Sequence, residues 1–398
     1  MPDLSTATFI LPAQAQLTSQ QAALQRQVLA FIRHHRRDEQ AAVFVIEGDA
    51  GSGKSVVLNA VFTALQQAAR SGSDPALAGL DAHLLVNHNE MLKVYKEVAA
   101  HTPHLYKKDF VKPTPFINRQ RKVGGLTDVV FVDEAHLLLS RPDPFNQFTA
   151  NNQLDELLQL ARVLVLVFDP HQVVKLKSHW DVGMLRRHLQ GHTVRRFALN
   201  QQMRVQDSSV SDWINALVYR QLRPLPQPRH FELRIFDDGQ PLYDWVRARN
   251  RAYGLSRLIA TTDFPYRVLD DRTWYVDAGT LHLPWDKINF TDRPWASRPE
   301  TVDEVGSIYT IQGFDLNYAG VIIGPSVDYD PVSDRIVVQT DRFEDQEAMR
   351  RRGDLDDLAS ARAAIVLHTL NILLKRGRLG LGIYACQPQL RQRLQALA

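Results

Sequence analysis

Residues 41–55 read AAVFVIEGDAGSGKS. The run 41–47, AAVFVIE, is short and apolar, as a strand buried on both faces is. GDAGSGKS, 48–55, follows at once and fits the pattern G-x-x-x-x-G-K-[ST]. VVLNAVFTALQQAARSG comes next and reads as a helix that stops near Gly72. Strand, glycine-rich turn and helix in that order form a phosphate-binding loop. Gly48, Gly51 and Gly53 let the backbone wrap closely around an anion, and Asp49, Ala50 and Ser52 complete the turn. Successive N–H groups and the helix N-terminus then face the phosphate. Lys54 is expected against the β and γ phosphates of ATP. Ser55 is expected to hold Mg²⁺ through its hydroxyl.

Outward from this loop the chain keeps alternating. Residues 20–35 carry Leu24, Val28, Leu29 and Ile32 at helical spacing. A strand is expected at 83–86 and a helix at 90–100. Apolar strands follow at 129–135, VVFVDEA, and 162–170, RVLVLVFDP, with NQLDELLQLA as the crossover helix between them. Strand and helix in alternation predict an α/β fold with parallel sheets covered by helices. After about Gly191 the composition shifts. A strand at TVRRFALN, a weakly helical 211–222 and a Pro-rich break at 223–230 lead to a region punctuated by Pro and Trp near 284–299. NYAGVIIG, DRIVVQ and LGLGIYAC read as strands, and DLASARAAIVLHTLNILLKRG as a helix with a glycine stop. The second half is therefore also α/β.

Composition sets the bounds. The 398 residues contain 47 Lys and Arg against 44 Asp and Glu, a net charge of only +3, so partners must be read from local clusters. Cys386 is the single cysteine, which excludes an internal disulfide and a thiolate-rich metal site. The N-terminus lacks a basic leader and no apolar run approaches 18 residues. The expectation is a cytoplasmic chain with no membrane partner.

VVFVDEAH places Asp133 at the carboxyl end of a strand, where ligands bind in parallel sheets. Asp133 is the expected Mg²⁺ partner, and Glu134 the general base for water attacking the γ phosphate. His136 either relays from this site or is a satisfied core polar group.

The motif order resembles that of superfamily 1 helicases. LTSQQ, 17–21, is similar to the adenine-sensing motif with Gln21 as its glutamine, although Thr18 or Ser19 with Gln21 also reads as a helix cap. FDPHQ, 168–172, is similar to Gly-Asp-x-x-Gln, with Phe168 in place of glycine and Gln172 placed to sense the γ phosphate. LNQQMR, 199–204, resembles the motif whose arginine finger would be Arg204. IYTIQGFDLNYAGVIIG, 308–324, resembles the late Gln-Gly-x-Glu motif, with Gln312 and Gly313 matching and Asp315 in place of glutamate. NILLKRG, 371–377, is similar to the last motif, with Arg376 as the γ-phosphate arginine and Lys375 in place of threonine. The wider wording of these segments, with LLVNHNEMLKVYKEV and FVDEAHLL, resembles the Schlafen-like DNA/RNA helicase-domain family from about 17 to 386. That resemblance implies two tandem RecA-like P-loop NTPase domains, about 1–195 and 196–398. It also implies an ATP- and Mg²⁺-dependent ATPase stimulated by single-stranded DNA or RNA, a helicase or translocase.

A strand-gripping surface needs cations and aromatic faces. Lys107, Lys108, Lys112, Arg119, Arg121 and Lys122 form a basic run with Phe110 and Phe116 between them. It is either that surface or an ordinary solvated face. Arg186, Arg187, His188, Arg195 and Arg196 form a second cluster. Trp274, Trp285 and Trp295 either stack bases or anchor local packing. The competing function is an ATPase switch controlled by a protein partner, without unwinding.

Overall fold

The computed structural model describes residues 17–48, 51–199, 207–267, 272–285, 294–311, 314–350 and 357–398. Contacts divide these into two compact units. One holds 17–173 and 177–199; the other holds 174–176 and 207–398.

The first unit is a six-stranded sheet. Its strands are β1 (Ala42–Gly48), β2 (Ala82–Val86), β3 (Phe110–Val111), β4 (Thr127–Asp133), β5 (Ala161–Phe168) and β6 (Val194–Leu199). They lie in the order β3-β2-β4-β5-β1-β6, every pair parallel. β1 is bonded on both edges, with Val43 opposite Leu164 and Val194, which is why its apolar run needs no polar alternation. The helices are α1 (Ser19–His35), α2 (Lys54–Ser71), α3 (Asn89–His101), α4 (Pro113–Val123), α5 (Gln153–Leu160) and α6 (Val182–His188). Phe116 and Ile117 of α4, Leu154 and Leu157 of α5 and Leu185 of α6 share one core with Val43, Val45, Val130 and Leu164. The alternate residues point the other way. Phe44 meets Phe31 of α1, and Phe131 meets Phe62 of α2, ring centroids 5.4 Å apart in each case. Helices therefore cover both faces.

The second unit carries strands β7 (Glu232–Ile235), β8 (Ser256–Ala260), β9 (Tyr275–Ala278), β10 (Leu281–Pro284), β11 (Val305–Gly306), β12 (Leu316–Ile323), β13 (Val327–Asp330), β14 (Arg335–Val338) and β15 (Gly377–Ala385). Its helices are α7 (Ser208–Val218), α8 (Gly239–Tyr253), α9 (Ile308–Ile311), α10 (Leu358–Leu374) and α11 (Pro388–Ala396). Five strands form a parallel sheet in the order β11-β8-β12-β15-β7, while β9 with β10 and β13 with β14 form antiparallel pairs. α8 lies close against this sheet. A Cβ at Gly320 would come within 2.5 Å of Val246, and one at Gly382 within 2.9 Å of Trp245. Gly320 and Gly382 thus leave the room in which Leu242, Trp245 and Val246 of α8 lie on the sheet.

α4 and α8 stand where no helix was expected from the sequence. DRIVVQ forms β14 in a two-stranded ribbon, apart from the parallel sheet.

Candidate phosphate and metal site

Three strand ends build the site. β1 runs into the glycine-rich loop, β5 lies beside β1, and β4 lies beside β5. Asp133 ends β4, and Asp169 follows β5 by one residue. Residues far apart in sequence are thereby placed on one rim.

The loop turns sharply into α2. Gly51 and Gly53 have φ of 84° and 79°, the left-handed region where a side chain is strained. At Gly48 a Cβ would sit 2.6 Å from the Ser52 Oγ and 3.0 Å from the Leu199 carbonyl. Lys54 is the first residue of α2, and its side chain is only 5% exposed. Its Nζ donates to the Gly48 carbonyl at 2.7 Å and to the Asp169 carboxylate at 3.2 Å. Burial by itself would raise the Asp169 pKa. The charge of Lys54, a nearby His136 and the amide of Gln172 overcome it and hold the carboxyl at about 2. The Gln172 Nε2 donates to the same carboxylate oxygen at 2.6 Å, which fixes this amide over the site.

Asp133 is fully buried. One carboxylate oxygen accepts from the Ser55 hydroxyl at 3.3 Å and from the Glu134 N–H at 3.0 Å. The other accepts from the Tyr95 hydroxyl at 2.7 Å. Burial, then the charge of Glu134, raise its pKa to about 7, against the pull of the Tyr95 and Ser55 hydrogen bonds. Burial also raises the Tyr95 pKa. Glu134 has φ 50°, an unusual conformation for a non-glycine residue and a mark of a constrained site. Its Oε2 lies 3.4 Å from the His136 Nε2 but without hydrogen-bond geometry, and both ring nitrogens of His136 lack a hydrogen-bond partner among the described residues. Burial lowers the pKa of His136, against the opposing charges of Glu134 and Asp169.

Chemically, this rim offers a buried ammonium, a carboxylate paired with a hydroxyl, and a second carboxylate turned into a strained bend. A hydroxyl and one carboxylate suit a hard cation that keeps other oxygen ligands of its own. Among the described residues no group of three His, Cys, Asp or Glu side chains could hold a metal without such help.

Other expected site residues are placed differently. Gln21 is buried and closes the capping box of α1: its N–H donates to Thr18 Oγ1 at 3.2 Å, and its Oε1 accepts from the Thr18 N–H at 3.1 Å. The capping reading of LTSQQ thus has a physical basis, and the amide oxygen is already in use. In the second unit Arg376 is 2% exposed and donates to the Phe314 carbonyl at 2.9 Å. Lys375 is buried and donates to Asn215 Oδ1 at 2.7 Å, while Asp315 is half-buried before β12. Asp49, Ala50, Arg204, Gln312 and Gly313 lie outside the described residues.

Burial decides between the aromatic alternatives. Phe110 and Phe116 are buried in the first unit, so neither offers a face to a base. Trp285 and Trp295 are buried in the second unit as packing anchors, and Trp274 is half-buried. In the 107–122 run, Asp109 is buried in a two-point pair with Arg70, both contacts at 2.8 Å. Arg121 pairs with Glu156. The exposed ring is Tyr106, with the Arg70 guanidinium 4.2 Å and the Lys108 ammonium 5.6 Å from its centroid. In the second cluster Arg196 pairs with Glu47, His188 with Asp155, and Arg195 with Gln27. FDPHQ marked Asp169 as a motif position, but its pairing with Lys54 and the Tyr95 hydroxyl were missed, because side chains brought together by strand order leave no local pattern.

The site is that of an α/β protein with a glycine-rich loop after β1 and an Asp-Glu pair at the end of β4, with β5 between them in the sheet. The chain belongs to the Schlafen group 3, DNA/RNA helicase domain family, whose model matches residues 41–387. It is 36% identical over 431 aligned positions to the uncharacterized protein YPL245W of Saccharomyces cerevisiae, covering 99% of this chain and 93% of that one. Among solved structures, the arterivirus nonstructural protein 10 helicase in complex with DNA is 14% identical with a TM-score of 0.36. That match covers 93% of this chain and 65% of the viral one. Pif1 of a Bacteroides species, in complex with ADP-AlF4, is 12% identical with a TM-score of 0.36 over 96% of both chains. Among the described residues no helix is long and apolar enough to cross a membrane.

Proposed function

We propose that the chain is an ATP- and Mg²⁺-dependent ATPase stimulated by single-stranded nucleic acid, a DNA or RNA helicase or translocase of the cytoplasm. In this reading the chain carries two tandem RecA-like domains, about 1–195 and 196–398. One observation carries it: Lys54, Ser55, Asp133, Glu134 and Gln172 stand on three adjacent strand ends around one glycine-rich loop.

Magnesium-bound ATP supplies the reactive phosphoanhydride. Gly48, Asp49, Ala50, Gly51, Ser52 and Gly53 would wrap the phosphates through backbone N–H groups. Lys54 would turn part of its hydrogen bonding from Asp169 to phosphate oxygen. Ser55 and Asp133 would hold the Mg²⁺. Glu134 takes the proton of the attacking water, and Gln172, steadied by Asp169, orients that water. Arg204 and Arg376 would neutralise charge on the transferred group. Gln21 with Gly313 and Asp315 would line the nucleoside end. Lys107, Lys108, Arg119, Arg121 and Lys122 are the exposed cations of the 107–122 run, and with Tyr106 just before it they would contact the strand.

A partner-controlled ATPase switch is the second reading. The burial of Phe110 and Phe116 favours it, because the two rings between the cations of the basic run offer no face to a base.

Steady-state ATP hydrolysis with no polymer, single-stranded DNA or single-stranded RNA separates the two, with Lys54→Ala as control. Stimulation by one polymer, lost in Lys54→Ala, supports the motor. Lys54-dependent turnover that no polymer stimulates moves the assignment to the switch, and turnover that survives Lys54→Ala sinks both.

A further inference from the structure

α3 packs through Met91, Val94 and Tyr95, which are buried at helical spacing. Two of these three are apolar; the third brings a hydroxyl into the interior. A buried hydroxyl costs stability unless it is hydrogen-bonded. Tyr95 is fully buried and donates to the Asp133 carboxylate at 2.7 Å. Its ring is stacked on Phe110 of β3, with centroids 5.5 Å apart and planes 16° from parallel. The ring therefore has little freedom to rotate, and the hydroxyl is a fixed point for the carboxylate. The oxygen it holds is not the one that accepts from Ser55 and Glu134, and the Tyr95 hydroxyl is itself within hydrogen-bonding reach of the Ser55 side chain.

We propose that Tyr95 is a positioning residue of the metal site: it locks the Asp133 carboxylate so that its other oxygen stays beside Ser55. The inference rests on the reading of Asp133 and Ser55 as the Mg²⁺-holding pair. A carboxylate hung from the end of a strand can rotate about its Cβ–Cγ bond. Magnesium demands near-ideal placement of its few protein oxygens. A second group that fixes the first therefore sets affinity, not merely stability. The lock comes from α3 and β3, which lie outside the motifs that mark the phosphate loop. Tyr95 thus makes the metal site depend on how α3 and the Phe110 strand are packed.

The test is binding, not turnover. The full chain is titrated with a fluorescent ADP analogue at a series of Mg²⁺ concentrations and in EDTA. Tyr95→Phe keeps the ring and removes only the hydroxyl. Tyr243→Phe is the matched control, since the Tyr243 hydroxyl donates to Asp303 at 2.6 Å in the second unit. Tyr95→Phe is expected to need about tenfold more Mg²⁺ for half-maximal tightening of ADP. Its affinity in EDTA should stay unchanged, and Tyr243→Phe should follow the parent at every concentration. A Mg²⁺ curve for Tyr95→Phe that overlays the parent overturns the proposal. So does an equal loss with and without Mg²⁺, which would mark a packing role only. A parent chain whose ADP affinity ignores Mg²⁺ removes the metal-site reading itself, and the inference with it.

Discussion

Lys54 and Asp169 form a buried ion pair whose partners are 115 residues apart in sequence, with side chains 5% and 1% exposed. Such a pair is worth little as a sum but costs much to break, because the remaining charge is left in low dielectric. Asp169→Asn should lower stability at neutral pH by about 3 kcal/mol, read as a fall in denaturant midpoint with unchanged slope. The acid limb follows from the same pair. The folded pKa of Asp169, about 2, is below the usual carboxylate value of 3.8. Its contribution is thus complete above the unfolded pKa and is lost as pH falls from about 4 towards 2, roughly 2 kcal/mol in all. The parent should show this loss in acid denaturation, and Asp169→Asn should not. A variant as stable as the parent at pH 7 would mean that Lys54 finds another partner at no cost. Glu134 belongs to the same scale. Its Oε2 has no hydrogen-bond partner among the described residues, as suits a group waiting for a proton. Glu134→Gln should reduce kcat by about a hundredfold or more with ADP affinity retained. Parent-like turnover would remove Glu134 as the base.

At the scale of elements, two kinds of residue share the segment 107–122 and should respond oppositely. Phe116 is a core ring of α4, 1% exposed, and Phe116→Ala should destabilise the first unit by about 3–5 kcal/mol. Lys107 and Lys108 are exposed beside Tyr106. Replacing both with Ala should leave the melting temperature unchanged and weaken polymer binding at low salt, with a salt slope reduced by up to about two. If polymer affinity and slope stay at parent values, the strand does not cross this surface. The same segment shows where sequence reading reaches its limit. β1, β4, β5, β12 and β15 are legible because parallel strands buried on both faces are apolar runs. α4 begins PTP, which reads as a break yet fits a first turn whose N–H groups need no helical partner. α8 buries only a narrow stripe, Leu242, Tyr243, Trp245 and Val246, and its outer face is Arg-rich. β3 has two residues, too short for any period. In the site, the loop residues are contiguous and so readable. Tyr95 and the Lys54–Asp169 pair are created by strand order, which local pattern does not state.

At the scale of the whole molecule, the residues named in the proposed phosphate chemistry are found in both units. The first contains Lys54, Asp133 and Glu134; the second contains Arg376. Each unit has its own parallel sheet and its own apolar core. What the second unit would add in the proposed function is charge at the transferred phosphoryl group. Arg376 is a demanding residue to test, because it also holds the Phe314 carbonyl from within the core. Arg376→Gln should therefore have two separable effects. Losing that hydrogen bond should cost about 1 kcal/mol, seen in the unfolding midpoint. Losing the charge should slow ATP hydrolysis at least a hundredfold at saturating ATP, well beyond what a folded fraction reduced by so small a cost could produce. ADP affinity should stay near that of the parent, because the loop and the metal pair are in the first unit. An Arg376→Gln chain that melts earlier but hydrolyses ATP at the parent rate would make this arginine a structural cation, and would leave the positive charge for the γ phosphate to be sought elsewhere in the second unit, with Arg204 as the next residue to replace.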